Sequence, residues 1–314
     1  MEFGGDFQMV KYVLSAAALK CFSAGPGMRG LYRGLGNLAG SRRRGKGKIP
    51  SYYLERIRRL LRMQQEYQLV RSGDRIIELG TGWLHWDALT TRLFFDVQAV
   101  LFDVWDNRQL SGLKNYVAQI SPILEGGGFE LTPAMLGRAQ SLIAAIQKVD
   151  SFEELYKLLD FEYVTHSEGS LKQFPNNSFQ LAVSGGVLEH VDRDAVPVLL
   201  AESFAILKPG AWALHSIDIQ DHLSYYDAGV SKKEYLKFSD ETWSNLFENK
   251  VQYINRLQRS EWLNIFNSVG FETIQEDSWQ VDISRLHIAD RFAKMEKRDL
   301  ECGGVKVLFQ KPSH

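Results

Sequence analysis

Apolar positions along the chain follow two rhythms. Between Tyr52 and Val70, residues Leu54, Ile57, Leu60, Leu61, Met63 and Tyr67 recur at spacings of three and four with arginines between them, which predicts an amphipathic helix. Short apolar runs bounded by turn residues then predict strands, first "DRIIELG", which ends in a glycine turn, and next "VQAVLFDV". Thr132 followed by Pro133 predicts a helix start running to about Val149, and Ser151 with Glu154 predicts a capping box and a second helix to about Leu159. Strand and helix alternate again through "FEYVTH", "FQLAVSGG", a helix from about Asp194 to Leu207 with Pro197 in its first turn, and "AWALHSID" after a "KPG" turn. Gly270 closes a helix over Ser260 to Val269, and "FETIQEDSWQV" and "GVKVLFQ" are strand-like runs flanking a charged helical segment near Ser284 to Leu300.

This alternation predicts an α/β fold. Residues 1–50 read as an N-terminal helical and basic extension, with "AGSRRRGKGK" as a flexible connector, and 51–314 as one domain carrying helical insertions at about 106–160 and 220–260. With 45% hydrophobic and 24% charged residues over 314 positions, the chain has material for a large core. Its 37 basic and 38 acidic residues balance, so no global field argues for a nucleic-acid partner. The exception is local: Arg29, Arg33, Arg42, Arg43, Arg44, Lys46 and Lys48 stand together without an acid, as a solvated linker or a contact for an anionic acceptor or a membrane surface. Cys21 and Cys302 lie at opposite ends and fit neither a disulfide framework nor a zinc site, and the apolar stretch Val10 to Phe22 is too short and mixed to span a bilayer. A cytoplasmic protein without a transmembrane segment is the expectation, and no cysteine or acidic cluster calls for a metal.

The strongest chemical signal is "IIELGTGW" at Ile76 to Trp83. Glycine at 80 and 82, straight after a buried strand, lets a ligand approach backbone that a Cβ would block and permits positive φ. Asp103, at the end of the following strand, stands where a carboxylate reaches ribose hydroxyls in doubly wound folds. A nicotinamide cofactor uses similar geometry, but the third glycine of G-x-G-x-x-G is absent, since Trp83, Leu84 and His85 follow Gly82. An NAD-dependent oxidoreductase is therefore the weaker alternative, and a non-catalytic cofactor-binding scaffold is a further one.

From Gly73 to Pro312 these residues resemble class I methyltransferases that use S-adenosylmethionine, in particular the small-molecule enzymes with a type 11 or 12 core. "ELGTGW" is similar to their first motif, "LFDV" to the second, "PNNSFQLAVSGGVLEHV" to the fourth strand and the helix start after it, and "ILKPGAWALHSID" to the next strand, with Gln180 where aspartate is usual. The resemblance implies a Rossmann-like, mostly parallel sheet of seven strands with helices on both faces and an antiparallel last strand at "VKVLFQ". It also implies that Glu78, Gly80, Thr81 and Gly82 line the methionine end of the cofactor, that Asp103 bonds the ribose, that Glu168 meets the adenine, and that Ser184 and Gly185 contact the cofactor through their backbone. The product would be S-adenosylhomocysteine.

The acceptor has no motif of its own. In "HSIDIQDHLSYYD", His215, Asp218, Asp221 and His222 follow a strand, and ligands sit beyond the carboxyl ends of strands. His222 is the expected base, Asp218 its orienting partner, and His215 a second candidate, set within the strand where its side chain can point into the core. His190 belongs to the "LEH" helix start, with a structural role weighed against a catalytic one, and His85 is open between the two. Trp83 offers either a cation–π contact to the sulfonium or a core ring under the turn. Tyr225, Tyr226, Tyr235, Phe238, Trp243 and Phe247 either roof an acceptor pocket or pack as core. The reading reached is O- or N-methylation of a small molecule, with a hydroxyl favoured.

Overall fold

The computed structural model describes residues 9–313; the first eight positions of the expected N-terminal extension lie outside the described residues. Three helices lead the chain, α1 (Val10–Ser23), α2 (Pro26–Lys46) and α3 (Ser51–Tyr67). Then come β1 (Arg75–Leu79), α4 (Trp86–Phe94), β2 (Gln98–Asp103), α5 (Leu110–Glu125), α6 (Pro133–Ile146), α7 (Phe152–Leu159), β3 (Phe161–Thr165), β4 (Phe179–Gly185), α8 (Val196–Ile206) and β5 (Leu207–Asp218). The last elements are α9 (Asp240–Leu246), α10 (Arg259–Val269), β6 (Glu272–Gln280), α11 (Lys297–Glu301) and β7 (Cys302–Gln310).

The strands form one seven-stranded sheet in the order β3-β2-β1-β4-β5-β7-β6. β1 pairs in parallel with β2 and with β4, and β2 with β3, so buried runs such as Ile76, Ile77 and Val100 have neighbours on both sides. β7 runs against β5: Ile219, just after β5, donates its N–H to Gly303 O (3.0 Å), and Lys311, just after β7, donates its N–H to Ala211 O (2.9 Å), so the partners move back eight residues along one strand as they advance eight along the other. The antiparallel last strand expected from the resemblance is present. The strand order reverses between β1 and β4, the switch point where doubly wound sheets place ligands.

Local signals held where they had a stereochemical cause. Thr132 Oγ1 accepts from Met135 N–H at 3.3 Å, and Pro133 stands at the first position of α6. Ser151 caps α7 by accepting from Glu154 N–H, while Glu154 reaches back to Asp150 N–H rather than to Ser151. Gly270 ends α10 with φ 112°.

Three expectations are corrected. The connector is not flexible: α2 continues through "AGSRRRGK" because Arg44 is buried, its Nε donating to Gln109 Oε1 at 2.8 Å and its guanidinium lying 3.8 Å over the Trp83 ring. The 220–260 insertion is not mostly helical, having one α-helix of two turns and two 3-10 turns, His222–Tyr225 and Glu234–Lys237. Its shape comes from a hydrophobic cluster in which Tyr235, Trp243 and Phe247 pack with Tyr12, Ala16 and Leu19 of α1. The charged segment near 284–300 is helical only in α11.

By internal contacts the chain resolves into two compact units. One comprises Met1–Gly36, Gly186–Leu200 and His215–Leu308, the other Asn37–Gly185, Ala201–Leu214 and Phe309–His314. No helix among the described residues is long and apolar enough to cross a membrane.

Candidate active site

In the second unit the carboxyl ends of β1, β2 and β4 lie side by side, with Glu78 opposite both Leu101 and Val183. The turn after β1 needs its glycines: Gly80 has φ 65° and Gly82 φ 59°, in the left-handed region that a Cβ disfavours. His85 also adopts φ 50°, entering α4 with its side chain fully buried. Its Nδ1 is 2.8 Å from Thr81 Oγ1 and its Nε2 3.0 Å from the Tyr156 hydroxyl. Burial, helped by the Arg108 cation, pulls the imidazole down to about 3, so His85 is a neutral strut tying Thr81 to α7.

Asp103 spans the turn. One carboxylate oxygen accepts from Gly82 N–H (2.8 Å) and the other from Val104 N–H (2.7 Å), and burial raises its pKa against those bonds. Glu78 is engaged differently from the expectation. Its buried carboxylate accepts from Asp87 N–H (3.3 Å) and Ala88 N–H (3.0 Å) at the start of α4. Burial and the Asp87 carboxylate push it up to about 8, against the pull of Arg56. Arg56 pairs with Asp87, its Nε 2.8 Å from Oδ1, and its guanidinium sits 2.7 Å from where a Cβ on Gly185 would be. Gly185 is therefore small because Arg56 lies on it. Ser184 beside it is buried. Glu168 is exposed, beside Gly169, whose φ is 73°. Trp83 is 39% exposed, so it is not the core ring weighed in the sequence, and one of its faces is already covered by Arg44.

These residues fit an adenosyl cofactor: two positive-φ glycines leave the backbone of the turn open, and a buried carboxylate stands at the end of the neighbouring strand. The Thr81 hydroxyl is turned onto His85, so that side chain is part of the scaffold.

In the first unit the residues around the end of β5 divide sharply. His215 is fully buried, its ring 5.3 Å from that of Phe266. Asp221 is also fully buried and structural, accepting from the Tyr12 hydroxyl (2.6 Å) and Leu223 N–H (2.9 Å). Asp218 and His222 do come together, with His222 Nε2 3.5 Å from Asp218 Oδ2. The Tyr225 hydroxyl donates to the same oxygen (2.7 Å) and Gln220 N–H to the other (2.9 Å). Burial alone would raise the Asp218 carboxyl, but these partners hold it below its ordinary range. Tyr225 stacks on His222 with ring centroids 5.2 Å apart, and His190 lies at 4.9 Å from the same imidazole. Of the six aromatics weighed as a pocket roof, Tyr225 and Tyr226 are exposed while Tyr235, Trp243 and Phe247 are core.

The sequence reading passed over Glu189, Arg56 and Tyr225 as polar participants. Glu189 had a signal, standing beside His190 in "LEH", but an acid in a helix-start motif reads as a cap until its burial is known. Arg56 had none, since it is one of several arginines on α3 and only Asp87 and Gly185 distinguish it.

Residues 47–276 match a family model described as a methyltransferase domain. A search of curated proteins finds no match. Among solved structures, the chain is similar to Haemonchus contortus phosphoethanolamine N-methyltransferase 2 in complex with phosphomonomethylethanolamine and S-adenosylhomocysteine (13% identity, TM-score 0.44, 82% of this chain and 52% of that one). It spans about half the length of that enzyme. It is also similar to a SAM-dependent methyltransferase from Methanosarcina mazei (15% identity, TM-score 0.43, 80% of this chain and 98% of that one).

Proposed function

This chain belongs to the methyltransferase domain family, and from that premise we propose that it is an S-adenosylmethionine-dependent enzyme that methylates a hydroxyl oxygen of a small molecule, with His222 acting on that hydroxyl. Membership favours methyl transfer over the oxidoreductase and over the non-catalytic scaffold. The acceptor side of the reading rests on one observation, the pairing of His222 with an Asp218 carboxylate that Tyr225 fixes. When bound, S-adenosylmethionine supplies a methyl carbon on a positively charged sulfur, activated for displacement.

The chain's own residues then have three tasks. Gly80, Thr81 and Gly82, with Ser184 and Gly185, would hold the cofactor through backbone, Asp103 would bond the ribose, and exposed Glu168 would meet the adenine. Aligning the two reactants would be worth an effective molarity of up to about 10⁵–10⁸ M. His222 would take the proton that the acceptor hydroxyl loses on methylation, a general-base contribution of roughly 10²–10⁴-fold. Such a base favours a hydroxyl over an amine, which is already nucleophilic when unprotonated.

Asp103→Ala is expected to weaken S-adenosylhomocysteine binding by about 1.5–3 kcal/mol, the scale of hydrogen bonds to a charged group. The loss includes loosening of the Gly82 N–H that Asp103 holds. Calorimetric titration checks it, with Asp103→Asn as the variant that keeps the shape. Unchanged affinity in Asp103→Ala would move the ribose contact elsewhere.

A specific observation also favours contact with a membrane surface. On α2, Met28, Leu31, Leu35 and Leu38 recur at helical spacing and are all exposed, while Arg33, Arg42, Arg43 and Lys46 add exposed positive charge with no acid in the helix. An apolar stripe beside cations is the composition of a helix that lies in an anionic bilayer interface. Co-sedimentation with phosphatidylserine-containing vesicles is expected to exceed that with neutral vesicles and to be lost in the double variant Leu31→Glu and Leu35→Glu. Equal recovery with both vesicle types, or an unaffected variant, would exclude it.

A further inference from the structure

We propose that Glu189, His190 and His222 form a binding site for a divalent first-row transition metal ion. One carboxylate oxygen and one nitrogen from each imidazole lie within 4.8 Å of one another, inside the first unit. Ligand atoms around a tetrahedral ion with bonds of about 2.0–2.2 Å stand roughly 3.4 Å apart, so small side-chain rotations close the triad.

Glu189 supplies the independent observation. It is only 4% exposed, and its Oε2 has no hydrogen-bond partner. A carboxylate buried with an unused oxygen is costly unless something positive meets it. The turn that carries it is fixed, because Asn255 Nδ2 donates to Leu188 O (2.9 Å) and Val191 O (3.1 Å), and Asn255 N–H donates to Glu189 O (2.9 Å).

The histidines are oriented as ligands are. His190 Nδ1 is 2.7 Å from the Tyr253 carbonyl oxygen. A carbonyl can only accept, so Nδ1 carries the hydrogen and Nε2 keeps its lone pair, the arrangement in which metal-bound histidines are usually held. The buried Nε2 of His222 makes no hydrogen bond and lies 3.5 Å from Asp218 Oδ2, so Asp218 is a carboxylate standing behind a ligand. Two imidazoles and one carboxylate suit zinc, cobalt, manganese or iron(II) and not the all-oxygen preference of magnesium or calcium.

A three-ligand site leaves coordination positions open. Resting on the methyltransferase reading, an open position would take the acceptor hydroxyl oxygen and lower its pKa, its proton then passing to solvent water while the His222 lone pair holds the ion; in the ion-free protein the same lone pair is the one that takes the proton. The expectation of a metal-free enzyme came from looking for cysteines and runs of acids, and this triad has neither.

The test uses the untagged full chain with Zn²⁺ alone, followed by equilibrium dialysis and elemental analysis, and Co²⁺ alone, followed by its visible absorption. One ion per chain is expected. Glu189→Gln, His190→Gln and His222→Gln should each weaken binding by at least about 100-fold and Asp218→Asn by about 10-fold. The exposed His287→Gln should bind as the wild type does. S-adenosylhomocysteine affinity is measured on the same samples and reports on the fold and on the methyltransferase reading. Wild-type protein that binds S-adenosylhomocysteine but holds no ion at millimolar Zn²⁺, or triad variants that bind as tightly as His287→Gln, would overturn the site while leaving methyl transfer standing. Ion binding that the triad variants lose, in protein that binds no S-adenosylhomocysteine, would keep the site and overturn the methyltransferase reading.

Discussion

Gly80→Val is expected to abolish S-adenosylhomocysteine binding. Gly80 has φ 65°, and a β-branched side chain there is strained by roughly 1–2 kcal/mol before any contact with ligand is counted. Its N–H donates to Phe102 O at 2.8 Å, so relieving the strain by turning the backbone breaks the junction between β1 and the end of β2. Both outcomes remove the surface on which the cofactor's backbone contacts depend. Wild-type protein at 100 times the dissociation constant gains about 2.7 kcal/mol of stability from the ligand, a rise in melting temperature that Gly80→Val should not show. Gly73→Ala is the matched control: Gly73 has φ 83° with open space around its Cβ position, so it pays a similar backbone penalty away from the turn. It should be destabilised yet bind normally. A folded Gly80→Val that binds with wild-type affinity would remove the glycine turn from the cofactor site.

The second large effect separates the two halves of the reaction. His222→Ala is expected to lower single-turnover methylation of a hydroxyl acceptor by about 10²-fold or more while leaving S-adenosylhomocysteine affinity nearly unchanged. The imidazole acts on the acceptor in either role assigned to it, as base or as ligand, and in neither does it hold the cofactor. Asp218→Asn should give a smaller loss, because the amide keeps the shape but not the charge that faces His222 Nε2 at 3.5 Å. For an amine acceptor the loss should be small. Wild-type rate in His222→Ala with a hydroxyl acceptor would exclude His222 and leave His190, 4.9 Å away between ring centroids, as the next group to test.

The difference between the cofactor side and the acceptor side is also a difference in what the chain discloses before it folds. Strand runs, the Thr132 and Ser151 caps and the Gly270 stop were legible because each is a local stereochemical preference, satisfied by residues within four positions. The glycine turn and Asp103 were legible for the same reason: a ligand at a strand-to-helix turn constrains φ and side-chain size at neighbouring positions. Elsewhere local pattern misled, since the aromatic spacing from Tyr225 to Phe247 suits a helix, yet Tyr235, Trp243 and Phe247 pack with α1 and their burial overrides propensity.

What the sequence by itself determined is therefore the alternating α/β order, the turn after β1 and the acid after β2. Tertiary structure alone decided which polar groups are spent on the fold. Glu78 caps α4, His85 bridges Thr81 and Tyr156, Asp221 holds Tyr12, and His215 lies against Phe266, each through partners distant in the chain or through complete burial. It also brought His222 to the adjacent pair Glu189 and His190, from which it is separated by more than thirty residues with no spacing signal. The physical reason is that a side chain's pKa and its free lone pairs depend on desolvation and on long-range partners, and neither exists until the chain has closed around it.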